Sequence, residues 1–272
     1  MPLITLTTDF GLKDPDLALL KSRLISTFPK ANMIDITHNL TPFETEEAIY
    51  VVQNSLSSFP AGTFHFIGLD SETNPVKKPV LSILNNQYFL SNDVALIETA
   101  FAGFAPQHYA LPFKTIDRFL TPHMLAAKKI LNGEKPENIG QKISKIAPIS
   151  LSKPMTKTDP ASGQISLIVP KVIYNDHYGN AIFNLKKEDF ENWQNNRSFN
   201  IKIGHHEITE IVRNYYNSSN NTDHFLADGQ IFARFNDFGY FEIFMFRSNH
   251  KTGGANTLLG LNKNKTVLIN FN

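Results

Sequence analysis

The sequence predicts an α/β amino-terminal domain, a largely parallel sheet flanked by helices, followed by a smaller all-β domain of barrel or sandwich type. Three observations lead there. Through the first half, strands rich in β-branched and aromatic residues alternate with stretches whose apolar residues fall at helical spacing. From Ser144 to Gly163 the periodicity fades, and Pro148, Pro154 and Pro160 gather among Ser, Thr and Lys. Beyond that point only short strands occur, separated by turn residues. The expected boundaries are 1–150 for the α/β domain, 151–163 for a linker and 164–272 for the β-rich domain.

Residues 3–8 read as the first strand and Asp16 to Phe28 as the first helix. Asn32 to Thr37 is a second strand. Glu44 to Leu56 follows as a helix opened by Thr41-Pro42. Residues 63–69 form a third strand that runs into Asp70. Val80–Leu84 and Gln87–Leu90 predict a hairpin turning at Asn85-Asn86, where asparagines tolerate the left-handed conformation. Asp93 to Phe101 is a short helix, and Pro122 to Asn132 another, stopped by Gly133. Such alternation argues for a parallel sheet covered by helices. In the second half, strands are expected at 164–169, 172–175, 198–203, 206–212, 231–236, 240–246 and 266–271.

Composition narrows the chemistry. The chain has 272 residues, 42% of them hydrophobic, and its 25 acids nearly balance its 26 bases. No large basic field is available to neutralise phosphates, so nucleic acid is not an expected partner. The absence of cysteine removes disulfides, thiol nucleophiles and thiolate metal sites. No apolar run reaches the roughly 18 residues of a membrane span, and the first residues read as a strand instead of a leader. A cytoplasmic protein without a membrane partner is expected. Neither a glycine-rich phosphate cradle nor a Gly-x-Ser-x-Gly elbow occurs. His205-His206-Glu207 does not make a metal site, because neighbours on a strand point to opposite faces. His38, just after a strand, is expected to serve capping or turn bonding.

The segment Ile4 to Asp14 carries the strongest functional signal. An apolar strand ends in Thr7-Thr8-Asp9-Phe10-Gly11, which places a carboxylate at the carboxyl edge of a sheet, where open α/β sheets bind ligands. A carboxylate there can accept two hydrogen bonds from the vicinal hydroxyls of a ribose. Capping of the following helix is the competing role for Asp9. Asn175-Asp176-His177-Tyr178-Gly179-Asn180 is a second dense cluster. It is turn chemistry between two strands, and it also supplies a carboxylate, an aromatic face and an amide.

Taken in order, Thr7-Thr-Asp-Phe-Gly11, Ile34-Asp-Ile-Thr-His38, Phe59-Pro-Ala-Gly-Thr63 before Asp70, and Asn175 to Asn180 followed by Asn184 resemble the S-adenosylmethionine hydroxide adenosyltransferase family, relatives of the fluorinases and chlorinases. The resemblance spans nearly the whole chain. It implies a homotrimer whose sites lie between the first domain of one subunit and the second domain of the next. It also implies attack on C5′ of S-adenosylmethionine by hydroxide or halide, with S-adenosylmethionine as substrate and no cofactor or metal. On this resemblance Asp9 corresponds to a ribose-binding aspartate and Asp14 to a second acid near it. Asp176, Tyr178 and Asn180 correspond to contacts with methionine and adenine.

The match departs at the reactive centre. Asp70 corresponds to the aspartate of a water-polarising Asp, Arg and His set, but Ser71 to Pro75 replace a glycine-rich turn and Lys77 stands where the arginine is expected. Lysine keeps the charge and loses the planar fork of donors. Thr115 aligns with a substrate-contacting threonine, Asp117 with the histidine, and Arg118 with a small residue lining the nucleophile pocket. Two readings follow from the departures. Asp70, Lys77 and Asp117 form a substitute water-activating cluster, giving hydrolysis to adenosine and L-methionine; or the chain binds an adenosyl ligand without turnover.

Overall fold

The computed structural model describes residues 1–69, 77–112, 119–212, 228–248 and 253–272. The expected sites Asp70, Thr115 and Asp117, and Arg118 with them, lie outside the described residues. The chain divides into two units, Met1–Ser150 and Leu151–Asn272. Among the described residues no helix is long and apolar enough to cross a membrane.

In the first unit the order is β1 (Leu3–Thr8), α1 (Asp16–Thr27), β2 (Asn32–Thr37), α2 (Thr45–Leu56), β3 (Phe64–Gly68), β4 (Val80–Leu84), β5 (Gln87–Ser91), α3 (Val94–Ala100), β6 (Gln107–Ala110), α4 (Thr121–Leu131), α5 (Pro136–Ile139) and β7 (Gln141–Ile143). They build a seven-stranded sheet in the order β2-β1-β3-β5-β4-β6-β7. The four strands β2, β1, β3 and β5 run parallel, and β4, β6 and β7 join antiparallel. Period-2 alternation divides the sheet between two cores. Leu6, Phe66 and Leu90 pack with Leu20 and Leu24 of α1 and Met124 of α4. Ile67 and Phe89 meet Ile49 and Val52 of α2 and Ile97 of α3 on the other face.

Local chemistry explains the connections. Asn85 and Asn86 both have positive φ, 49° and 57°, the requirement of the two-residue turn whose twist suits a hairpin. Asp93 starts α3 by accepting a hydrogen bond from Leu96 N at 3.0 Å. The strand order has a consequence for function. The chain leaves β1 for β2 on one side, then crosses to β3 on the other. Connections from adjacent strands thus diverge at β1 and β3 and open a crevice at their carboxyl ends.

The second unit contains β8 (Met155–Thr158), β9 (Ile165–Val169), β10 (Val172–Asn175), β11 (Ala181–Lys186), α6 (Lys187–Gln194), β12 (Phe199–Ile203), β13 (His206–Ile208), β14 (Ile231–Phe235), β15 (Tyr240–Met245), α7 (Ala255–Leu258) and β16 (Leu268–Phe271). Two antiparallel sheets form, β10-β11-β15-β14 and β13-β12-β16-β9-β8. Their inner faces share one core in which Phe183, Phe190, Phe241, Ile201, Ile269 and Phe271 are buried. This is the all-β architecture expected for the second half.

Two expectations need correction. Residues 151–163 are not simply a linker, because Met155–Thr158 pairs antiparallel with β9. All four residues of that strand are exposed, so an edge position gives them no burial pattern to read. The strand expected over 206–212 ends at Ile208.

Candidate functional site

The turn after β1 is held by its neighbours on both sides. Asp9 N donates to Gly68 O of β3 at 3.4 Å, and Gly11 N donates to His38 O, just beyond β2, at 2.6 Å. Gly11 has φ +69°, which a glycine adopts at little cost. Half-buried Asp9 therefore sits at the carboxyl edge of the sheet, at the strand-order reversal.

A cavity of about 270 Å³ opens there, and Asp9, Thr41, Phe43, Lys77, Asp93 and Leu96 are among its lining residues. Two of the expected site residues, Asp9 and Lys77, are thus brought together. Lys77 Nζ lies 3.1 Å from Asp93 Oδ2, and both side chains are largely buried. Asp93 divides its carboxylate between this cation and the first turn of α3. Asp14 is exposed in the turn ahead of α1 and is not among the residues lining this cavity.

Phe43 is a site residue that the sequence does not announce. Its φ is +66°, a conformation that a bulky side chain rarely adopts and that concentrates at functional sites. It is 69% exposed at the cavity it lines. An apolar ring beside a carboxylate and a cation suits a ligand with one flat or apolar part and one polar part. In the sequence Asp93 reads as the start of a helix and, in the family resemblance, as what survives of an Asp-Asn-Gly turn, but not as a partner of Lys77. The side chains of Phe43 and Asp93 acquire a common purpose only after strands distant in sequence become neighbours.

In the second unit, the turn between β10 and β11 is built by its own polar side chains. Asp176 Oδ1 accepts from Tyr178 N and Asn180 N, each at 2.9 Å, and Oδ2 accepts from Asn180 Nδ2 at 2.8 Å. Asn175 Nδ2 donates to Asn180 O at 3.2 Å and Leu261 O at 3.0 Å. Gly179 has φ +81°, and a Cβ added there would stand 2.7 Å from Asn256 Oδ1 and 3.0 Å from Gly254 Cα. The turn is packed too tightly for any side chain at this position. Asp176 and buried Asn180 thus spend hydrogen-bonding capacity on the turn itself, and it presents Tyr178, 62% exposed, to solvent.

Electrostatics separates the buried polar groups from the cavity. Asp35 of β2 is partly desolvated, which raises its carboxyl, but the hydrogen bond from Lys21 and the nearness of His38 outweigh this and hold it below its ordinary value. His108 is pushed down by burial, against the pull of Glu98. Its Nδ1 pairs with Ser82 Oγ at 2.7 Å and its Nε2 with Glu98 Oε2 at 3.0 Å. The order Ser, His, Glu imitates a hydrolytic triad, yet Ser82 is 1% exposed and no substrate reaches it. Among the described residues no three His, Asp or Glu side chains converge as metal ligands.

An α/β unit with a cavity at its strand-order reversal is followed by an antiparallel β unit, and such a reversal is where open α/β sheets as a class place their ligand crevices. Comparison with known proteins gives the family. Residues 4–121 match the SAM hydroxide adenosyltransferase N-terminal domain and residues 170–268 its C-terminal domain, so the chain belongs to the SAM hydroxide adenosyltransferase family. It is 22% identical over 267 residues to (R)-S-adenosyl-L-methionine hydrolase of Methanocaldococcus jannaschii, covering 92% of this chain and 90% of the relative. A fluorinase of Actinoplanes sp. is 31% identical over 62 residues, covering 23% of this chain and 21% of the relative. Among solved structures, an uncharacterized conserved protein from Thermotoga maritima superposes with a TM-score of 0.73 at 18% identity, covering 99% of both chains. A conserved hypothetical protein from Thermus thermophilus gives 0.68 at 20% identity, covering 100% of both chains. These low-identity likenesses establish the fold.

Proposed function

We propose that the protein hydrolyses S-adenosylmethionine to adenosine and L-methionine by attack of hydroxide at C5′. The observation that carries the reading is the meeting of Asp9 and Lys77 in one cavity at the carboxyl edge of the sheet. In this mechanism Asp9 accepts hydrogen bonds from the ribose hydroxyls and fixes the sugar. The oxygen–C5′ bond forms as the C5′–sulfur bond breaks, and the bonding pair returns to sulfur to give neutral methionine. A sulfonium is already a good leaving group, so the reaction needs alignment and an anionic nucleophile, not a cofactor. The Lys77 cation stabilises incipient hydroxide, and Asp70 and Asp117, assigned on sequence alone, take the proton or orient the water. Tyr178 from the second unit of a neighbouring subunit in a trimer would close the purine side by stacking.

One observation favours a second reading, an adenosyl-ligand binder without turnover. Lys77 is already engaged by Asp93 at 3.1 Å, which withholds part of its charge from a bound water. Incubation with S-adenosylmethionine followed by chromatography separates the two, because only the hydrolase releases adenosine. Lys77→Ala is expected to abolish release while calorimetry still detects adenosine binding. Release at the wild-type rate from the variant would remove Lys77 from the mechanism.

A further inference from the structure

We infer that Thr8 and His38 form a positioning relay that fixes the conformation of the Asp9 turn, and through it the carboxylate that receives the ribose. The inference rests on the proposed nucleoside site. Its observations, however, are independent of the cavity lining. Thr8 Oγ1 lies 2.8 Å from His38 Nδ1, and both side chains are buried, at 0% and 3% exposed. Phe10 N, within the turn, donates to the same hydroxyl at 3.4 Å. On the far side of the ring, His38 Nε2 stands 3.1 Å from Asp35 Oδ1, off its N–H axis, so the contact is electrostatic in character. Lys21 Nζ donates to Asp35 Oδ2 at 2.6 Å.

Of the polarities these contacts allow, the Asp35 carboxylate selects one for the neutral ring. A carboxylate facing Nε2 favours the tautomer with the proton there, which leaves Nδ1 as an acceptor. The Thr8 hydroxyl then donates to Nδ1 and accepts from Phe10 N. His38 grips the turn a second time through its backbone, whose carbonyl accepts from Gly11 N at 2.6 Å. The residue just beyond β2 thus holds both residues that follow Asp9, one through its ring by way of Thr8 and the other through its carbonyl. Thr8 cannot be a nucleophile, since its hydroxyl is fully enclosed. Its chemistry is spent on geometry.

Substitutions at the two side chains separate a positioning role from a merely structural one. Thr8→Val keeps the shape and removes the hydroxyl, and Thr8→Ser restores it. His38→Asn places a polar atom near the position of Nδ1, whereas His38→Gln places one near Nε2. Calorimetry with adenosine and with 2′,3′-dideoxyadenosine reads the effect on the sugar hydroxyls. Thr8→Val and His38→Gln should weaken adenosine about tenfold, the scale of one buried hydrogen bond, and leave the dideoxy compound unchanged. Thr8→Ser and His38→Asn should stay within about twofold of wild type. Equal weakening of both nucleosides, or of neither, would overturn the relay. Amide hydrogen exchange at Phe10 and Gly11 supplies a ligand-free measurement. Faster exchange in Thr8→Val but not in Thr8→Ser supports the relay, and unchanged exchange overturns it. If wild-type protein fails to bind adenosine, the nucleoside site is refuted, and exchange alone still decides whether the relay holds the turn.

Discussion

His65 makes the first unit sensitive to acid, and the size of the effect follows from its surroundings. The ring is fully buried in β3, stacked on Phe89 with centroids 4.7 Å apart and met edge-on by Phe59 at 5.6 Å. Thr5 Oγ1 lies 2.7 Å from Nδ1, and Gln87 Oε1 lies 3.1 Å from Nε2. Because Gln87 Nε2 donates to Phe59 O, the glutamine oxygen faces the ring, and His65 must donate from Nε2 and accept at Nδ1. Burial pushes its pKa from 6.5 down to about 4, with the Gln87 bond opposing the shift.

A histidine of lowered pKa binds its proton more readily unfolded than folded. Its contribution to stability is therefore complete above about pH 6.5, falls as pH drops, and is exhausted near pH 4. At roughly 1.4 kcal/mol per pH unit, the whole window is worth about 3 kcal/mol, and about 2 kcal/mol is lost by pH 5. Urea denaturation of wild type and His65→Gln at about pH 7.5, 6 and 5 isolates this part. Carboxylates and His108 contribute alike to both proteins, so only the difference in slope is assigned to His65. The variant will be less stable at neutral pH, yet it should lose about 2 kcal/mol less on going to pH 5. Parallel pH profiles would refute the reasoning, whatever the absolute stabilities.

Gly179→Ala should cost the second unit about 3 kcal/mol, combining left-handed backbone strain with contacts under ordinary van der Waals distance. The single tryptophan, Trp193, packs against the core of that unit, so its fluorescence during urea unfolding checks the figure. Asp93→Ala should lose about 1 kcal/mol through the missing helix cap and more through loss of the ion pair with Lys77. Asp93→Asn keeps the cap and loses only the ion-pair part, so thermal denaturation should rank wild type above Asp93→Asn above Asp93→Ala. Removing the charge opposite Lys77 should also alter adenosine release in Asp93→Asn, and unchanged release would separate the ion pair from the chemistry. Asn86→Gly should be neutral or slightly stabilising by differential scanning calorimetry, because the native φ of 57° already favours glycine.

What can be read from the sequence is what burial and local turn chemistry write into it. Leu6, Phe66 and Leu90 alternate with partners on the opposite face because each central strand is covered twice, and the strands are correspondingly plain. Asn85-Asn86 and Asp93 act on backbone groups within three residues, so their roles need no tertiary context. Met155–Thr158 is illegible for the opposite reason, since an exposed edge strand has no face to hide. β11 escapes notice where a strand passes straight into a helix at Lys186 with no glycine or proline between them.

The candidate site divides along the same physical line. A carboxylate at the end of β1 is legible because strand, acid and glycine are contiguous. Phe43 and Asp93 are not, since nothing in the local sequence states that the segment after β2 and the start of α3 will face the same cavity as Asp9. The turn at 176–180 shows a third case, in which identity is legible and division of labour is not. Its residues read together as ligand contacts or as turn chemistry, and the hydrogen bonds assign Asp176 and Asn180 to the turn while leaving Tyr178 outward. The same distinction applies to Thr8 and His38, whose buried side chains support a carboxylate without lining the cavity. A sequence motif can therefore mix residues that meet a ligand with residues that hold them in place, and only burial and hydrogen-bond direction separate the two.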